Sequence, residues 1–286
     1  MRFAVLGGDR RSALLAEQLL RDGHRVRSFA LEKAALPKEV PRDSCLQAAV
    51  YGADCVILPV PAEAGGVLNA PLSDAALPME ELIGALWPGQ LLCGGKFSDE
   101  SCRAALRGKL RVEDLLRRPD FPVGNAALTA EGALGLLISN GDRALFQSRV
   151  LVTGFGRIAR LLLPRLLALG AAVTVAARSA VDRAMVRALG GAGLDFSQLE
   201  AVIGDFDFIV NTVPARVLSD AALCCVSPGA LLLELASPPG GFDRTLAENI
   251  GLQVLAAPGL PGKCAPYAAA RLMKEAVYAA LAEQED

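Results

Sequence analysis

The sequence has few of the residues on which many catalytic and metal sites depend. Its 286 residues include a single histidine, His24. One histidine excludes metal sites built from several histidines and leaves few ways to build a His-based triad. The seven cysteines are an odd number and contain no C-x-x-C pair. Neither a disulfide framework nor a zinc site is therefore expected, and reduced thiols are the default.

The sequence also lacks an excess of charge and a long apolar run. It has 29 basic and 31 acidic side chains, a net charge of −2, so it offers no basic surface for nucleic acid. No apolar run reaches the roughly 18 residues of a membrane span. The sequence begins Arg2-Phe3-Ala4-Val5-Leu6 without the regions of a signal peptide. We expect a cytoplasmic protein without membrane or nucleic-acid partners.

A strand, a glycine-rich turn and an amphipathic helix follow one another twice, first at Gly7-Gly8-Asp9 and again at Gly154. Further apolar runs separated by helical patterns predict parallel sheets. The predicted fold is α/β with two doubly wound parallel-sheet domains, the second a Rossmann NAD(P)-binding domain. The expected boundaries are an N-terminal flavodoxin- or Rossmann-like domain over 1–120 completed by a C-terminal helix over 264–286, a connecting helix over 121–147, and the Rossmann domain over 148–263.

The second glycine turn has the pattern G-x-G-x-x-A between a predicted strand and a predicted helix. Gly154 permits the tight turn, Gly156 lets a pyrophosphate approach the backbone, and Ala159 lets helix and strand pack closely. The helix N-terminus would face the phosphates. A purely structural turn is the alternative. The predicted cofactor-binding residues of this turn are Gly154, Phe155, Gly156, Arg157 and Ile158.

The end of the next predicted strand indicates which dinucleotide is bound. NAD-specific folds place an acidic residue there, whereas this sequence has Arg178 and Ser179. An arginine can pair with a 2′-phosphate, and a serine can donate a further hydrogen bond. A solvated arginine on a loop is the alternative. The sequence favours NADP over NAD.

Two further loops should line the cofactor, because ligands of open α/β sheets bind outside the carboxyl ends of the strands. The loops are 211–214 and 236–241, and rigidity from proline is an alternative reason for the second. The predicted cofactor-binding residues in these loops are Thr212, Val213, Pro214, Ala236 and Ser237.

Three cations are candidates for holding an anionic substrate, Arg11 first, Lys263 second and Arg10 third. Arg11 follows the first glycine turn at a helix N-terminus, which favours anions, although solvated arginines at a tight turn are an equal alternative. Lys263 lies in the proline- and glycine-rich stretch 257–266, where a surface lysine is the commoner role. His24 precedes a strand and is expected to be structural or solvated. Cys224 and Cys225 are expected as small core residues.

Several strings together resemble the family of the dipicolinate synthase A chain of spore-forming bacteria, over nearly the whole chain. Those strings, in order, are Gly7-Gly8-Asp9 with Arg11, Thr129 with Glu131-Gly132, the turn at Gly154, Ala177-Arg178-Ser179, Asn211-Thr212, Leu235-Ala236-Ser237 with Pro239-Gly240-Gly241, and 257–262 with Ala265-Pro266. The resemblance implies NADP-dependent oxidation of a dihydrodipicolinate-type intermediate of the lysine pathway to dipicolinate. It also implies the flavoprotein-like second subunit of dipicolinate synthase as partner and the mother-cell cytoplasm of a sporulating bacterium.

This reaction needs little acid–base catalysis from the protein. Oxidation of a dihydropyridine creates an aromatic ring, so a strong base is dispensable and the proton can pass to water or to Glu131. The predicted catalytic residues are Arg11, Glu131 and Lys263. The resemblance does not hold at Pro238, since a member of the family carries arginine there. Another cation of this chain must take any role that this arginine has.

Two other functions stay open at this point. One is another NAD(P)-dependent dehydrogenase, acting on a 2-hydroxy acid or an amino acid, which the misplaced histidine disfavours because such chemistry needs a base. The other is a non-enzymatic nucleotide-sensing module, which would need no substrate-binding cations. A homo-oligomer is an open alternative to a monomer.

Overall fold

The computed structural model describes residues 1–283, and the chain divides into two compact α/β units. The first comprises Met1–Asn125 with Pro261–Asp286, and the second Ala126–Leu260. Residues 284–286, the end of the predicted helix 264–286, lie outside the described part. Each unit is built on a sheet whose paired strands all run parallel, as predicted.

The strands are short and mostly apolar. In chain order they are β1 Arg2–Leu6, β2 Arg25–Phe29, β3 Cys55–Ile57, β4 Glu63–Ala64, β5 Val67–Leu68, β6 Leu91–Gly94, β7 Arg111–Asp114, β8 Arg149–Thr153, β9 Ala172–Ala176, β10 Ala192–Leu194, β11 Phe208–Asn211, β12 Leu231–Glu234 and β13 Gln253–Ala256.

The helices connect these strands. They are α1 Arg10–Arg21, α2 Leu46–Val50, α3 Met79–Gly84, α4 Asp99–Arg107, α5 Phe121–Asn140, α6 Arg157–Ala168, α7 Ala180–Ala188, α8 Leu199–Val202, α9 Asp220–Cys224, α10 Arg244–Asn249, α11 Leu260–Cys264 and α12 Pro266–Ala282.

The sheet of the first unit has the order β2-β1-β3-β6-β7. Its faces alternate along each strand: Phe3 and Val5 pack with residues of α1 and α12, while Ala4 and Leu6 pack with residues of α2 to α4. Helix α12 is also held to the end of α1, where Lys274 Nζ and Tyr278 Oη donate to Asp22 at 2.6 and 2.7 Å. The C-terminal helix is therefore part of this unit's core.

The sheet of the second unit has the order β10-β9-β8-β11-β12-β13, which is the 3-2-1-4-5-6 order of dinucleotide-binding folds. Val150 and Val210 face a core shared with α5 and α6, whereas Leu151 and Ile209 face one shared with α8 to α10. Both faces are covered, so the prediction of doubly wound parallel sheets is confirmed.

Helix α5 is long and apolar enough to cross a membrane by length and composition alone. The core helices of globular proteins can be equally apolar. In this chain Ala130, Ala133 and Leu137 of the helix are fully buried in the core of the second unit. Part of the apolar surface of α5 is therefore used in packing.

Three details differ from expectation. The predicted connecting helix over 121–147 is shorter, since α5 ends at Asn140. Cys224 and Cys225 are exposed, so the prediction that they fill the core is wrong. They lie at the C-terminal end of the short helix α9, of which Ala222 and Leu223 are the buried residues. Residues 261–263, which the predicted boundaries place in the Rossmann domain, lie in the first unit.

Candidate functional site

The turn after β8 is shaped by its first glycine. Gly154 has a φ of +85°, a conformation that side chains rarely adopt. A Cβ there would lie 2.7 Å from Val213 Cγ2, so the backbone after β8 packs directly on the loop after β11. The Gly154 N–H donates to Ala176 O at 2.8 Å, which joins the turn to the end of β9. Gly154 is a structural requirement of this turn.

No contact within the described residues requires glycine at the second position of the turn. Gly156 has a φ of −80°, which any residue can adopt, and no atom lies within 4 Å of a Cβ built on it. It immediately precedes α6, and its N-cap position carries no side-chain hydrogen bond. The N-terminal N–H groups of a helix attract anions. Open space at a helix N-terminus fits the pyrophosphate of a dinucleotide.

The other residues of the turn support it. Phe155 is buried, and the Arg160 guanidinium lies 5.1 Å from its ring while Arg160 Nε donates to Phe155 O at 3.0 Å. Ala159 is fully buried, as close packing of α6 on the sheet requires. Arg157 is exposed and Ile158 is half-buried.

The residues after β9 have different roles. Ser179 Oγ accepts from the N–H of Asp182 at 3.3 Å and so caps α7, which leaves its hydroxyl hydrogen free to donate. Arg178 is exposed, and its guanidinium has no hydrogen bond or ion pair within residues 1–283. Arg183 Nη1 donates to the carbonyls of Ala177 and Arg178, both at 2.7 Å, and pairs with Asp195 at 2.7 Å. Arg183 therefore braces the turn that presents Arg178.

A hydrogen-bond network that the sequence analysis missed joins the ends of β8, β11 and β12. Thr153, Asn211 and Glu234 are the last residues of these strands and are direct neighbours across the sheet. Thr153 Oγ1 donates to Asn211 Oδ1 at 2.5 Å, and Asn211 Nδ2 donates to Glu234 Oε1 at 2.6 Å. Thr153 and Asn211 are fully buried. The network spans β8 and β11, the switch point at which such folds bind ligands.

This network shapes both loops that were predicted to face the cofactor. Asn211 accepts from the Val213 N–H at 3.2 Å and donates to Val213 O at 2.9 Å. The Thr212 hydroxyl donates to Thr153 O at 2.7 Å, so it serves the loop itself. The Ala236 N–H donates to Glu234 at 2.8 Å. The structure thus brings the turn at 154–158 together with loops 212–214 and 236–237 at one edge of the sheet.

A cavity of about 270 Å³ lies beside the second loop. Its walls include Pro238, Pro239 and Phe242, with Arg244 and Glu234 as its ionisable residues. Arg244 therefore lines the same cavity as Pro238, which the sequence analysis singled out. The Arg244 guanidinium donates through Nε to Glu248 at 2.6 Å, and its side chain is 58% exposed.

In the first unit, the loops after β1 and β3 meet at that sheet's own switch point. Arg11 makes a bidentate pair with Asp9, with Nε and Nη2 at 2.9 Å from the two carboxylate oxygens. Arg11 Nη2 also donates to Val60 O at 2.8 Å. A Cβ on Gly262 would lie 2.7 Å from Arg11 Nε, so α11 packs directly on this pair. That contact agrees with the place of residues 261–263 in the first unit.

The pairing changes what can be expected of Arg11. The sequence prediction assigns its guanidinium to a substrate carboxylate, but Asp9 already supplies it with one, and its side chain is only 10% exposed. Burial would raise the pKa of Asp9, yet the hydrogen bonds and charge of Arg11 outweigh it and lower that pKa.

The other two predicted catalytic residues are both on the surface. Lys263, next to Gly262 on α11, is exposed. Glu131 is exposed on α5, in the second unit.

His24 lies immediately before β2, at the amino end of the strand. Its ring packs against Phe3 at 5.1 Å and Tyr278 at 5.7 Å. Burial lowers its pKa, assisted by the positive N-terminus. The glycine turns follow the carboxyl ends of their strands, so His24 lies at the opposite end of its sheet, where it packs structurally.

Comparisons with known proteins identify the family. Residues 2–116 match the family model of the N-terminal domain of the dipicolinate synthase A chain. The dipicolinate synthase A chain of Bacillus subtilis (strain 168) is 32% identical over 232 residues, which cover 80% of this chain and 78% of that protein. The chain belongs to the dipicolinate synthase A-chain family.

Solved structures agree with this membership. The crystal structure of the dipicolinate synthase A chain of Bacillus subtilis has a TM-score of 0.85 and 29% identity, covering 99% of this chain and 96% of that one. A transhydrogenase from Sinorhizobium meliloti has a TM-score of 0.73 at 16% identity, covering 98% and 92% of the two chains. At that identity the second similarity shows the fold alone.

Replacing Asp9 with asparagine should destabilise the first unit at pH 7 and reduce its sensitivity to acid. A carboxyl with a lowered pKa stabilises the fold above its unfolded pKa, and this stability is lost as the pH falls below about 3.8. We expect a loss of about 1–2 kcal/mol at pH 7, since Arg11 stays buried without its partner and Asp9 is partly exposed. Urea titrations at pH 7 and pH 3.5, followed by circular dichroism, measure both effects.

Asp74→Asn is the matched control, because Asp74 pairs with Lys33 on the surface and is 80% exposed. Its unfolding should stay close to that of the wild type at both pH values. Equal acid sensitivity in Asp9→Asn and the wild type would contradict the role given to the Asp9–Arg11 pair.

Gly156→Ser should leave the fold intact and weaken dinucleotide binding. Serine is favoured at an N-cap, and its Cβ would meet nothing in the protein, so stability should change by less than about 0.5 kcal/mol. The side chain would occupy the space for a phosphate, and we expect NADP affinity to fall by about tenfold or more in calorimetric titration. Gly229→Ser, also at an open position, is the control. Equal NADP affinities in the two variants would remove Gly156 from the site.

Proposed function

We propose that this chain is an NADP-dependent oxidoreductase that converts a dihydrodipicolinate-type dicarboxylate to dipicolinate. In this proposal it is the A chain of dipicolinate synthase and works with the flavoprotein-like second subunit of that enzyme in the cytoplasm of a sporulating mother cell. The observation that carries the cofactor part is the open space at Gly156, before an uncapped helix N-terminus. Membership of the dipicolinate synthase A-chain family supports the substrate part.

A nicotinamide cofactor held at the turn 154–158 would supply a hydride acceptor for a substrate that becomes aromatic as it loses a hydride and a proton. The driving force therefore lies in the substrate, and the protein has to bind and orient the two reactants. Such a reaction needs no histidine as a base, and the only histidine of this chain packs at the amino end of a strand. Glu131, exposed on α5, and water are the proposed proton acceptors.

A dicarboxylate substrate needs cations. We assign this role first to Lys263, which is exposed and follows Gly262, the residue that packs on the Asp9–Arg11 pair. Arg11, with its charge balanced by Asp9, would hold the turn and use its remaining N–H groups toward an anion. Arg244 is a third candidate, because it lines the cavity formed by Pro238 and Pro239.

Turnover tests the proposed reaction directly. Purified protein is mixed with NADP and freshly generated lysine-pathway intermediate, with and without the flavoprotein-like partner, and the absorbance of pyridine dicarboxylate and of NADPH is followed. We expect the two signals to rise in equal amounts. Tight nucleotide binding without turnover in either mixture would favour a nucleotide sensor, and turnover of a 2-hydroxy acid or amino acid instead would favour another dehydrogenase.

Arg178→Asp should reverse the choice of cofactor. A charge-assisted hydrogen bond to phosphate contributes about 1.5–3 kcal/mol, so NADP affinity should fall by roughly ten- to a hundredfold while NAD affinity is kept or improved. Arg187→Asp makes the same charge change at an exposed position on α7 and is the control. Calorimetric titration with both nucleotides measures the effect. Equal losses for NADP and NAD would show that Arg178 does not bind the 2′-phosphate.

A further inference from the structure

The carboxylate of Glu234 connects three backbone segments through its two oxygens. Oε1 accepts from Asn211 Nδ2 at 2.6 Å and from the Ala236 N–H at 2.8 Å. Oε2 accepts from the Gly241 N–H at 2.7 Å. One side chain therefore joins the end of β11 to both ends of the loop 236–241.

The loop lies so close to this network that two of its positions require glycine. A Cβ on Gly241 would lie 2.3–2.5 Å from the side-chain atoms of Asn211. Gly240 has a φ of +83°, and its Cβ would lie 3.0 Å from Glu234 Oε2. The backbone of the loop therefore packs directly against the side chains of Asn211 and Glu234. A hydrogen-bonded network of this kind holds one geometry.

The sheet order shows which part of a dinucleotide this loop would face. The strands run β9, β8, β11, β12 across the sheet, and the phosphate turn follows β8. Arg178, the proposed partner of the adenosine 2′-phosphate, follows β9 on one side of that turn. The loop 236–241 follows β12 on the other side. A dinucleotide whose pyrophosphate lies at the turn extends its nicotinamide half toward this loop.

We propose that Glu234 is a positioning residue for the nicotinamide half of the cofactor, a role that rests on the proposed dinucleotide function. It acts by holding the loops 212–214 and 236–241 in the shape that receives this half. The adenosine half depends on Arg178 and the turn at Gly154 and makes no use of Glu234.

Glu234→Gln separates these roles with a small change. Its amide oxygen can still accept from Asn211 and Ala236, but its NH₂ group would face the Gly241 N–H, so two donors oppose each other and the loop is released. Adenosine 2′,5′-bisphosphate, which has the 2′-phosphate and no nicotinamide, is the probe for the adenosine half. Glu248→Gln, at an exposed carboxylate of α10, is the control.

Calorimetric titration of the full chain with NADP and with the bisphosphate provides the test. In Glu234→Gln we expect NADP affinity to fall by about tenfold or more, while bisphosphate affinity stays within about twofold of the wild type. Unchanged NADP affinity, or equal losses for both ligands, would overturn the proposal. A wild-type protein that binds neither ligand would instead refute the dinucleotide function itself. If Glu234→Gln does not fold, Glu234→Ala, which introduces no opposing donor, replaces it with the same expected results.

Discussion

The parallel register of β8, β11 and β12 is the constraint on which the candidate site depends. It places Thr153, Asn211 and Glu234 side by side at the ends of three strands, where the buried Asn211 hydrogen-bonds to both of its neighbours. A buried polar group without a partner destabilises a fold, so the buried hydroxyl of Thr153 depends on Asn211. Because the network also binds backbone groups beyond the strands, the loops take their shape from it.

Three glycines of the candidate site differ in what requires them. Gly154 and Gly241 are required by neighbouring protein atoms, which a Cβ would approach to 2.7 Å or less. Gly156 is surrounded by open space and has an ordinary backbone conformation. Its lack of a side chain serves nothing within the described residues. Space kept free beside a helix N-terminus is what a bound phosphate requires.

Much of the fold could be predicted because the central strands are apolar runs with glycine turns behind them. The sequence pattern does not predict the edge strands β7 and β10. Arg111–Asp114 is largely charged, and Ala192–Leu194 is short and contains glycine. Edge strands of this kind resist pairing with other chains, but they carry little hydrophobic signal. The hairpin of β4 and β5, two residues in each strand, was missed because it is too short to show alternation.

The site was predictable where a motif fixes a backbone shape and less so where side chains pair over long distances. The turn at Gly154 and the exposure of Arg178 follow from local pattern. Arg11 pairs with Asp9, two residues before it, but the sequence alone does not show that the two side chains meet. The packing of Gly262 on this pair joins residues about 250 positions apart, and no local pattern indicates it. The network residues did leave a signal, since each of three apolar strands ends in one polar residue.

The central claim is that the second unit binds a 2′-phosphorylated dinucleotide at the turn after β8. Calorimetric titration of the unmodified protein with NADP and with NAD, side by side, tests it most directly. The account predicts that NADP binds tighter by roughly tenfold or more, the contribution of one charge-assisted contact to the 2′-phosphate. Equal affinities, a preference for NAD, or no binding of either nucleotide would contradict it.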